Sequence, residues 1–174
     1  MVKRILITVP HAVCNQFTDE NHQCDSLAHE FALNLEESFE LNNIETKLLV
    51  GNIPRYTCDL NRVICENTEF VSRVKSEIKR TSLHLDIHSF PTSDENWRNY
   101  DVVLLVQNPK VISKVKNLSS YLNNRKVPTA IYPGVTNYLI EISQSFNVPS
   151  WLIEINEDTD SVEIADLIAE WFLL

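Results

Sequence analysis

The fold is decided by the stretch Leu83-His84-Leu85-Asp86-Ile87-His88-Ser89-Phe90-Pro91. Apolar and polar residues alternate from Leu83 to His88, which is the period of a β-strand with one apolar face. The other face carries His84, Asp86 and His88, three groups that can ligate a metal. Because proline cannot donate to a sheet ladder, Pro91 predicts that the strand ends at His88. Ligands gather at such strand ends in open α/β sheets. A core histidine satisfied by the neighbouring aspartate is the competing interpretation.

The rest of the chain alternates predicted strands with predicted helices. Further strands are expected at residues 2–9, 44–50, 100–107, 129–132 and 150–156. Apolar residues at helical spacing predict helices at residues 25–39, 68–80, 111–122, 135–146 and 161–172. This order predicts one three-layer α/β domain over residues 1–174, with helices on both faces of a mainly parallel or mixed sheet.

Composition argues against several classes of partner. The formal net charge is −9 and the pI is near 5.0, whereas binding to a phosphate backbone needs clustered Lys and Arg. No apolar run reaches membrane-spanning length, and the first one lacks a cleavage site, which predicts a cytoplasmic protein with no membrane partner. The only glycines are Gly51 and Gly134, so a glycine-rich nucleotide-binding loop is excluded.

The chain has four cysteines, at Cys14, Cys24, Cys58 and Cys65. A chain of this length does not need covalent staples, so we expect reduced thiols. No two of them form Cys-x-x-Cys. Cys14 and Cys24 share a loop with His22, which leaves a cysteine–histidine metal site as an alternative.

Two further residues could join His88 at the predicted sheet edge. His11 directly follows Pro10 at the end of the first apolar run, so it is expected at the same C-terminal edge. Asp25 stands where the first helix should begin. Its carboxylate could cap the free N–H groups of that helix or could ligate a metal.

A polar segment and an unusual glutamate complete the candidate site. Arg55, Asn61 and Arg62 lie within eight residues that also contain Asp59, and this group suits recognition of a carboxylate. A solvated loop with a surface ion pair is the alternative. Glu154 interrupts an apolar strand, where an unpaired carboxylate is costly to bury. It therefore faces either a polar cavity or the wet side of an edge strand.

These positions, taken in order, resemble the N-formylglutamate amidohydrolase family. The residues that carry the resemblance are Pro10-His11, Asp25, the string from Arg55 to Arg62 (RYTCDLNR), Asp86-Ile87-His88-Ser89 and Ile153-Glu154-Ile155. The family is related to the zinc carboxypeptidases and aspartoacylases. The resemblance implies a phosphorylase/hydrolase-like, zinc carboxypeptidase-like fold and one catalytic zinc per chain.

By this resemblance, His11, Asp25 and His88 bind the zinc, with Glu20 or His22 as alternatives to Asp25. Arg55, Asn61 and Arg62 bind the carboxylate of a small-molecule or peptide substrate, and Glu154 is the general base. Two imidazoles and one carboxylate leave a fourth position on zinc for water, which suits amide hydrolysis. The expected activity is hydrolysis of an N-acyl amino acid such as an N-formyl one. A carboxypeptidase-type peptidase and a non-catalytic metal-binding or scaffold domain are the alternatives.

Two features depart from the family pattern. Ala12 and Val13 follow the first histidine, where the family commonly has a glycine, and a chain of 174 residues is shorter than typical members. Both departures concern the surroundings of the pocket. The identity of the substrate is therefore not predicted, even if the type of reaction is the same as in the family.

Overall fold

The computed structural model describes residues 4–14, 24–134 and 136–174. In these ranges the strands are β1 (Arg4–Val9), β2 (Glu45–Val50), β3 (Leu83–Phe90), β4 (Val102–Val106), β5 (Thr129–Pro133) and β6 (Ser150–Asn156). The helices are α1 (Ala28–Leu41), α2 (Glu69–Glu77), α3 (Ile112–Asn124), α4 (Tyr138–Ser145) and α5 (Ser161–Trp171). Short 3₁₀ turns occupy Val63–Cys65, Ile78–Arg80 and Pro109–Val111. The predicted alternation of strands and helices is confirmed. None of the helices in the described ranges is long and apolar enough to span a membrane.

The strands form one six-stranded sheet in the order β2-β1-β3-β6-β4-β5. Strands β2, β1, β3 and β6 are parallel, β4 runs antiparallel to β6, and β5 is parallel to β4. The carboxyl ends of four strands therefore meet the amino end of β4 at one edge of the sheet. The prediction of a mainly parallel or mixed sheet is confirmed.

The two faces of the sheet bury different sets of side chains. Leu85 and Ile87 of β3 point into the larger apolar core, which also contains Phe31 of α1 and Ile168 of α5. On the opposite face Leu6 of β1 packs in a second core with residues of α2 and α4. The polar residues of β3 share this second face, because side chains alternate along a strand.

The boundaries of β3 and the place of β6 differ from two expectations. Strand β3 continues past His88 to Phe90, because Ser89 and Phe90 still pair with β6. The missing N–H of Pro91 ends the ladder only after Phe90, so His88 lies inside the strand rather than at its end. Strand β6 lies between β3 and β4, so the edge-strand interpretation of Glu154 is wrong.

The expectation of reduced thiols is also wrong, because the structure pairs all four cysteines. The disulfides are Cys14–Cys24 and Cys58–Cys65, with Cα atoms 4.9 and 5.9 Å apart. Each pair closes a short loop whose ends the fold brings together, which chain length does not reveal. Cys14 and Cys24 are therefore not metal ligands, and His22 lies outside the described residues.

Candidate active site

Three predicted ligands come together at the carboxyl edge of the sheet. His11 lies just after β1, His88 lies in β3, and Asp25 lies in the turn before α1. Their potential ligand atoms lie within 4.8 Å of one another, and all three residues are buried. Asp25 Oδ2 is 2.6 Å from His88 Nδ1 and 3.2 Å from His11 Nδ1. The arrangement brings two imidazole nitrogens and one carboxylate together around a single point.

The turn that carries Asp25 is fixed by hydrogen bonds on both sides. The Asp25 N–H donates to the His11 carbonyl at 3.2 Å. Farther along, the N–H of Ser26 donates to Glu157 at 3.0 Å, and the N–H of Leu27 donates to Ser89 Oγ at 3.2 Å. Leu27 occupies the cap position of α1, and no side chain caps this helix. Asp25 is therefore not the N-cap, and its carboxylate is directed to the histidines.

The remaining ring nitrogens of the two histidines face carboxylates. His11 Nε2 lies 2.8 Å from Asp59 Oδ1, and His88 Nε2 lies 3.2 Å from Asp86 Oδ2. Metal-binding histidines almost always donate their second N–H to such a group, which fixes the tautomer and the ring orientation. The donor set and its carboxylate partners therefore fit a zinc ion bound by His11, Asp25 and His88.

The metal-free site contains a charged pair. Burial disfavours the ionised form of Asp25, but the charge of His88 and the hydrogen bonds from both imidazoles outweigh it and hold the pKa of Asp25 well below its ordinary value. Burial also opposes the charged form of His88, yet Asp25 and Asp86 raise its pKa well above 6.5. A metal ion at His88 would therefore compete with a proton.

A buried hydrogen-bond network holds His88 in place through Asp86. Burial opposes ionisation of Asp86, but nearby His88 lowers its pKa, and the ionised Asp86 accepts a hydrogen bond from the Thr8 hydroxyl. Burial lowers the pKa of His84 to about 4, so its ring is neutral. Its Nε2–H then donates to Thr8 Oγ1 at 2.8 Å, while its Nδ1 accepts from Ser143 at 2.6 Å. His84 therefore supports the site and is not a ligand.

Glu154 stands beside His88 across the sheet. The two residues are register partners on the parallel strands β3 and β6, so their side chains share one face. Burial raises the pKa of Glu154 to about 8; the positive charge of His88 opposes this shift, and the negative charges of Asp25 and Asp86 add to it. A carboxyl group with a raised pKa beside a candidate metal centre is suited to proton transfer near neutral pH.

The predicted carboxylate-binding residues sit on the loop after β2. Arg55 Nε lies 3.5 Å from Asp59 Oδ2 and its Nη1 lies 3.9 Å from Asp25 Oδ1, while Arg62 Nε lies 3.6 Å from Asp59 Oδ2. The arginine side chains are 36% and 60% exposed, so both keep donors free for a ligand. Burial raises the pKa of Asp59, but interactions led by the hydrogen bond with His11 outweigh burial and hold that pKa below its ordinary value, so Asp59 is ionised.

Asn61 contacts His88, one of the predicted ligands. Its side-chain amide lies 2.7 Å from His88 Nε2, and its Oδ1 is buried with no hydrogen-bond partner. A protonated Nε2 can only donate, so its partner in Asn61 is the amide oxygen. Asn61 therefore orients a predicted ligand, which sequence reasoning did not foresee.

All the predicted site residues line one cleft of about 320 Å³. The cleft brings together His11, Asp25, His88, Glu154, Arg55, Asn61 and Arg62. The alternative ligands Glu20 and His22 lie outside the described residues. Their roles stay predictions, as do those of the residues in the cleft.

Sequence reasoning missed the supporting contacts of three residues, Asp59, Glu157 and Asn137. Asp59 appeared only as a partner for arginine, yet it also holds His11. Glu157 accepts hydrogen bonds from Ser26 and from Ser89 at 2.8 Å, and Asn137 donates to Asp86 at 2.8 Å while capping α4. An acidic residue just past a strand end was the available signal for Glu157, but nothing in the sequence pairs it with the Asp25 turn.

No known family pattern and no curated protein sequence matches the chain. Solved structures do share its fold. A gene product of Agrobacterium tumefaciens superposes with a TM-score of 0.71 at 16% identity, over 98% of this chain and 87% of that one. The catalytic domain of the N-acetylmuramoyl-L-alanine amidase CwlV from Bacillus (Paenibacillus) polymyxa var. colistinus superposes with a TM-score of 0.60 at 12% identity, over 97% of this chain and 93% of that one.

An N-formylglutamate amidohydrolase from Ralstonia eutropha is also similar, with a TM-score of 0.50 at 14% identity, over 96% of this chain and 93% of that one. At such identities the likeness shows the fold alone. The chain is a single α/β domain with a mixed six-stranded sheet, a fold that it shares with these structures. The resemblance stated from the sequence agrees with this fold, and membership of that family stays a prediction.

Proposed function

We propose that the protein is a zinc-dependent hydrolase of an amide bond in a small carboxylate-bearing substrate, such as an N-acyl amino acid. One observation carries the proposal: His11, Asp25 and His88 form a metal-suited cluster, and Glu154 stands in register beside it. Zinc held there would polarise the amide carbonyl and make water a better nucleophile at neutral pH.

The protein's own groups complete the reaction. The Glu154 carboxylate takes the proton of the attacking water and passes it to the leaving amine nitrogen. A cation at the neighbouring ligands favours the ionised form of Glu154 and so counters the burial that raises its pKa. Arg55 and Arg62 bind the substrate carboxylate and hold the amide over the metal centre.

The size of the cleft and the similar structures support this substrate class. A volume of about 320 Å³ is near the lower limit of small-molecule sites and suits an acylated amino acid. Two of the proteins that share the fold are an amidase and an amidohydrolase by name. A carboxypeptidase-type activity would use the same residues on a peptide with a free C-terminus, and it is the second candidate.

The cytoplasmic location expected from the sequence stays a prediction. Disulfides persist in oxidising compartments, so Cys14–Cys24 and Cys58–Cys65 favour such a compartment instead. Free thiols would be blocked during isolation, and the protein would then be reduced and its new thiols titrated. Because only cysteines from disulfides yield new thiols, the count would decide between the two.

The test is a hydrolysis screen on zinc-loaded, chelator-treated and zinc-restored protein. The substrates are N-acyl amino acids, their carboxamide analogues and short peptides. We expect free-acid N-acyl amino acids to be hydrolysed only with zinc, and amidated analogues to react poorly. A folded, zinc-loaded protein that hydrolyses none of them would favour a non-catalytic metal-binding domain.

A further inference from the structure

One wall of the cleft is apolar and has no part in the proposed chemistry. Phe90 and Leu152 line it from β3 and β6, and Trp97 covers them from the loop before β4. The Trp97 ring packs edge-on against Phe90, with centroids 5.4 Å apart, and lies 5.9 Å from the ring of Tyr132. We name Phe90, Trp97 and Leu152 the apolar wall.

The apolar wall lies across the site from the arginines. Arg55 and Arg62 follow β2 at one side of the sheet, and His88 and Glu154 occupy the central strands β3 and β6. Phe90 and Leu152 of the apolar wall lie on these same two strands, and the wall extends from them onto Val103 and Leu105 of β4, away from β2. From β2 toward β4 the cationic residues therefore come first, the metal-suited and acid–base groups follow, and the apolar wall reaches farthest toward β4.

This order sets the direction in which a substrate can bind. With its carboxylate at the arginines and its amide beside Glu154, an N-acyl amino acid directs its acyl chain toward β4. A formyl group has one carbon and leaves the apolar wall uncovered. An acyl group that ends in a carboxylate would meet Glu157, which also lines the cleft. Its negative charge disfavours an anionic chain.

We infer that Phe90, Trp97 and Leu152 bind the hydrocarbon acyl group of the substrate, so that the protein favours N-acyl amino acids with several acyl carbons over N-formyl ones. The inference rests on the proposed function and specifies its substrate class. Trp97 is the specificity-determining residue, because it is partly exposed while Phe90 and Leu152 are only 3% and 5% exposed. Its replacement is also the least disruptive to the core.

The expected preference can be given as a ratio of kcat/KM. One methylene group in an apolar pocket changes this ratio by roughly 10-fold or more. N-butanoyl-glutamate should therefore exceed N-formyl-glutamate by at least about tenfold, and N-succinyl-glutamate should be poor. Trp97→Ala should remove most of the preference, by lowering kcat/KM for N-butanoyl-glutamate far more than for N-formyl-glutamate. Trp97→Phe should keep part of it.

Phe146→Ala is the matched control, because Phe146 is an aromatic residue 43% exposed at the end of α4 and does not line the cleft. It should behave as wild type. Equal use of formyl and butanoyl substrates, or an unaltered preference in Trp97→Ala, overturns the inference while leaving the proposed function intact. A preference that follows the amino-acid side chain, tested with N-acetyl-alanine against N-acetyl-phenylalanine and sensitive to Trp97, also overturns it.

A binding readout separates this inference from the proposed function. Trp97 is the partly exposed tryptophan, whereas Trp151 and Trp171 are 0% and 9% exposed. In chelator-treated protein, N-butanoyl-glutamate should change the tryptophan fluorescence at lower concentration than N-formyl-glutamate, and Trp97→Phe should reduce the change. Binding without any hydrolysis supports the apolar wall and refutes the activity. Equal binding of both ligands refutes the apolar wall.

Discussion

The cleft joins two regions that hold their side chains in different ways. In the strand region, His88 and Glu154 are register partners in the middle of the sheet, and a buried network fixes His88 from below. In the loop region, Arg55 and Arg62 lie after β2 and are 36% and 60% exposed. Strands position chemical groups closely, and loops vary more easily. The proposed function therefore places proton transfer in the strand region and recognition of the substrate carboxylate in the loop region.

The largest expected effect is in the strand region. Glu154→Gln keeps the shape of the side chain and removes its ability to take a proton. Turnover should fall by roughly 10²–10⁴, while zinc content and KM stay near wild type. Steady-state kinetics with metal analysis of the same sample checks this. A variant with unchanged turnover would assign proton transfer to another group.

A smaller effect is expected where the two regions meet. Asp59 belongs to the loop region but contacts His11 at 2.8 Å and both arginines. Asp59→Asn should weaken zinc affinity by roughly 10–100-fold, because a partner that fixes a ligand's orientation is lost. Competition with a zinc chelator measures it. Glu163→Gln changes an exposed side chain in the first turn of α5; it is the charge-matched control and should bind zinc as wild type does. Equal affinities would remove Asp59 from the metal centre.

A change confined to the loop region should act on substrate binding. Arg62→Lys keeps the charge but loses the planar fork, so KM for a free-acid substrate should rise by about tenfold with kcat nearly constant. Arg55→Lys should raise this KM by a larger factor, since Arg55 is less exposed and also approaches Asp25. An amidated substrate is the control. Wild type should already hydrolyse it poorly, and neither variant should lower that rate. A fall in kcat alone would contradict the division into two regions.

The smallest effect concerns stability and pH in chelator-treated protein. The pKa of Glu154 is raised to about 8, so between its ordinary value of 4.5 and that pH the folded state keeps a proton that the unfolded state loses. Stability from this group is present below pH 4.5 and is lost as pH rises toward 8. Because Glu154→Gln does not titrate, it does not lose this stability. The free energy of unfolding of the variant minus that of wild type should therefore be larger at pH 8 than at pH 5, by on the order of 1 kcal/mol or more. Urea unfolding at both pH values measures it, and a constant difference would place Glu154 in water.

Much of the strand region could be predicted from sequence, because its signals are local. Alternation in β3 placed His84, Asp86 and His88 on one face, and a glutamate in an apolar strand pointed to a cavity. The loop region was harder. The contact between Asn61 and His88 joins a loop to a strand 27 residues further on, and the disulfide Cys58–Cys65 closes an irregular loop, and no short pattern encodes either.

The alternative that Asp25 caps a helix failed for a similar reason. Asp25 looked like an N-cap because it precedes an amphipathic run, but Leu27 takes that position, and hydrogen bonds to Glu157 and Ser89 turn the segment toward the histidines. Glu157 is 131 residues from Ser26 in sequence. Contacts of that range follow from the fold and become visible only in three dimensions.

The central claim is that His11, Asp25 and His88 bind one zinc. Its most direct test is the zinc content of purified wild type, His88→Ala and His29→Ala after equilibration with zinc and removal of excess, with circular dichroism to verify folding. His29 is an exposed histidine on α1 and serves as the control. We predict about one zinc per chain in wild type and in His29→Ala, and little in folded His88→Ala. One zinc per chain retained by folded His88→Ala, or none taken up by folded wild type, would contradict the claim.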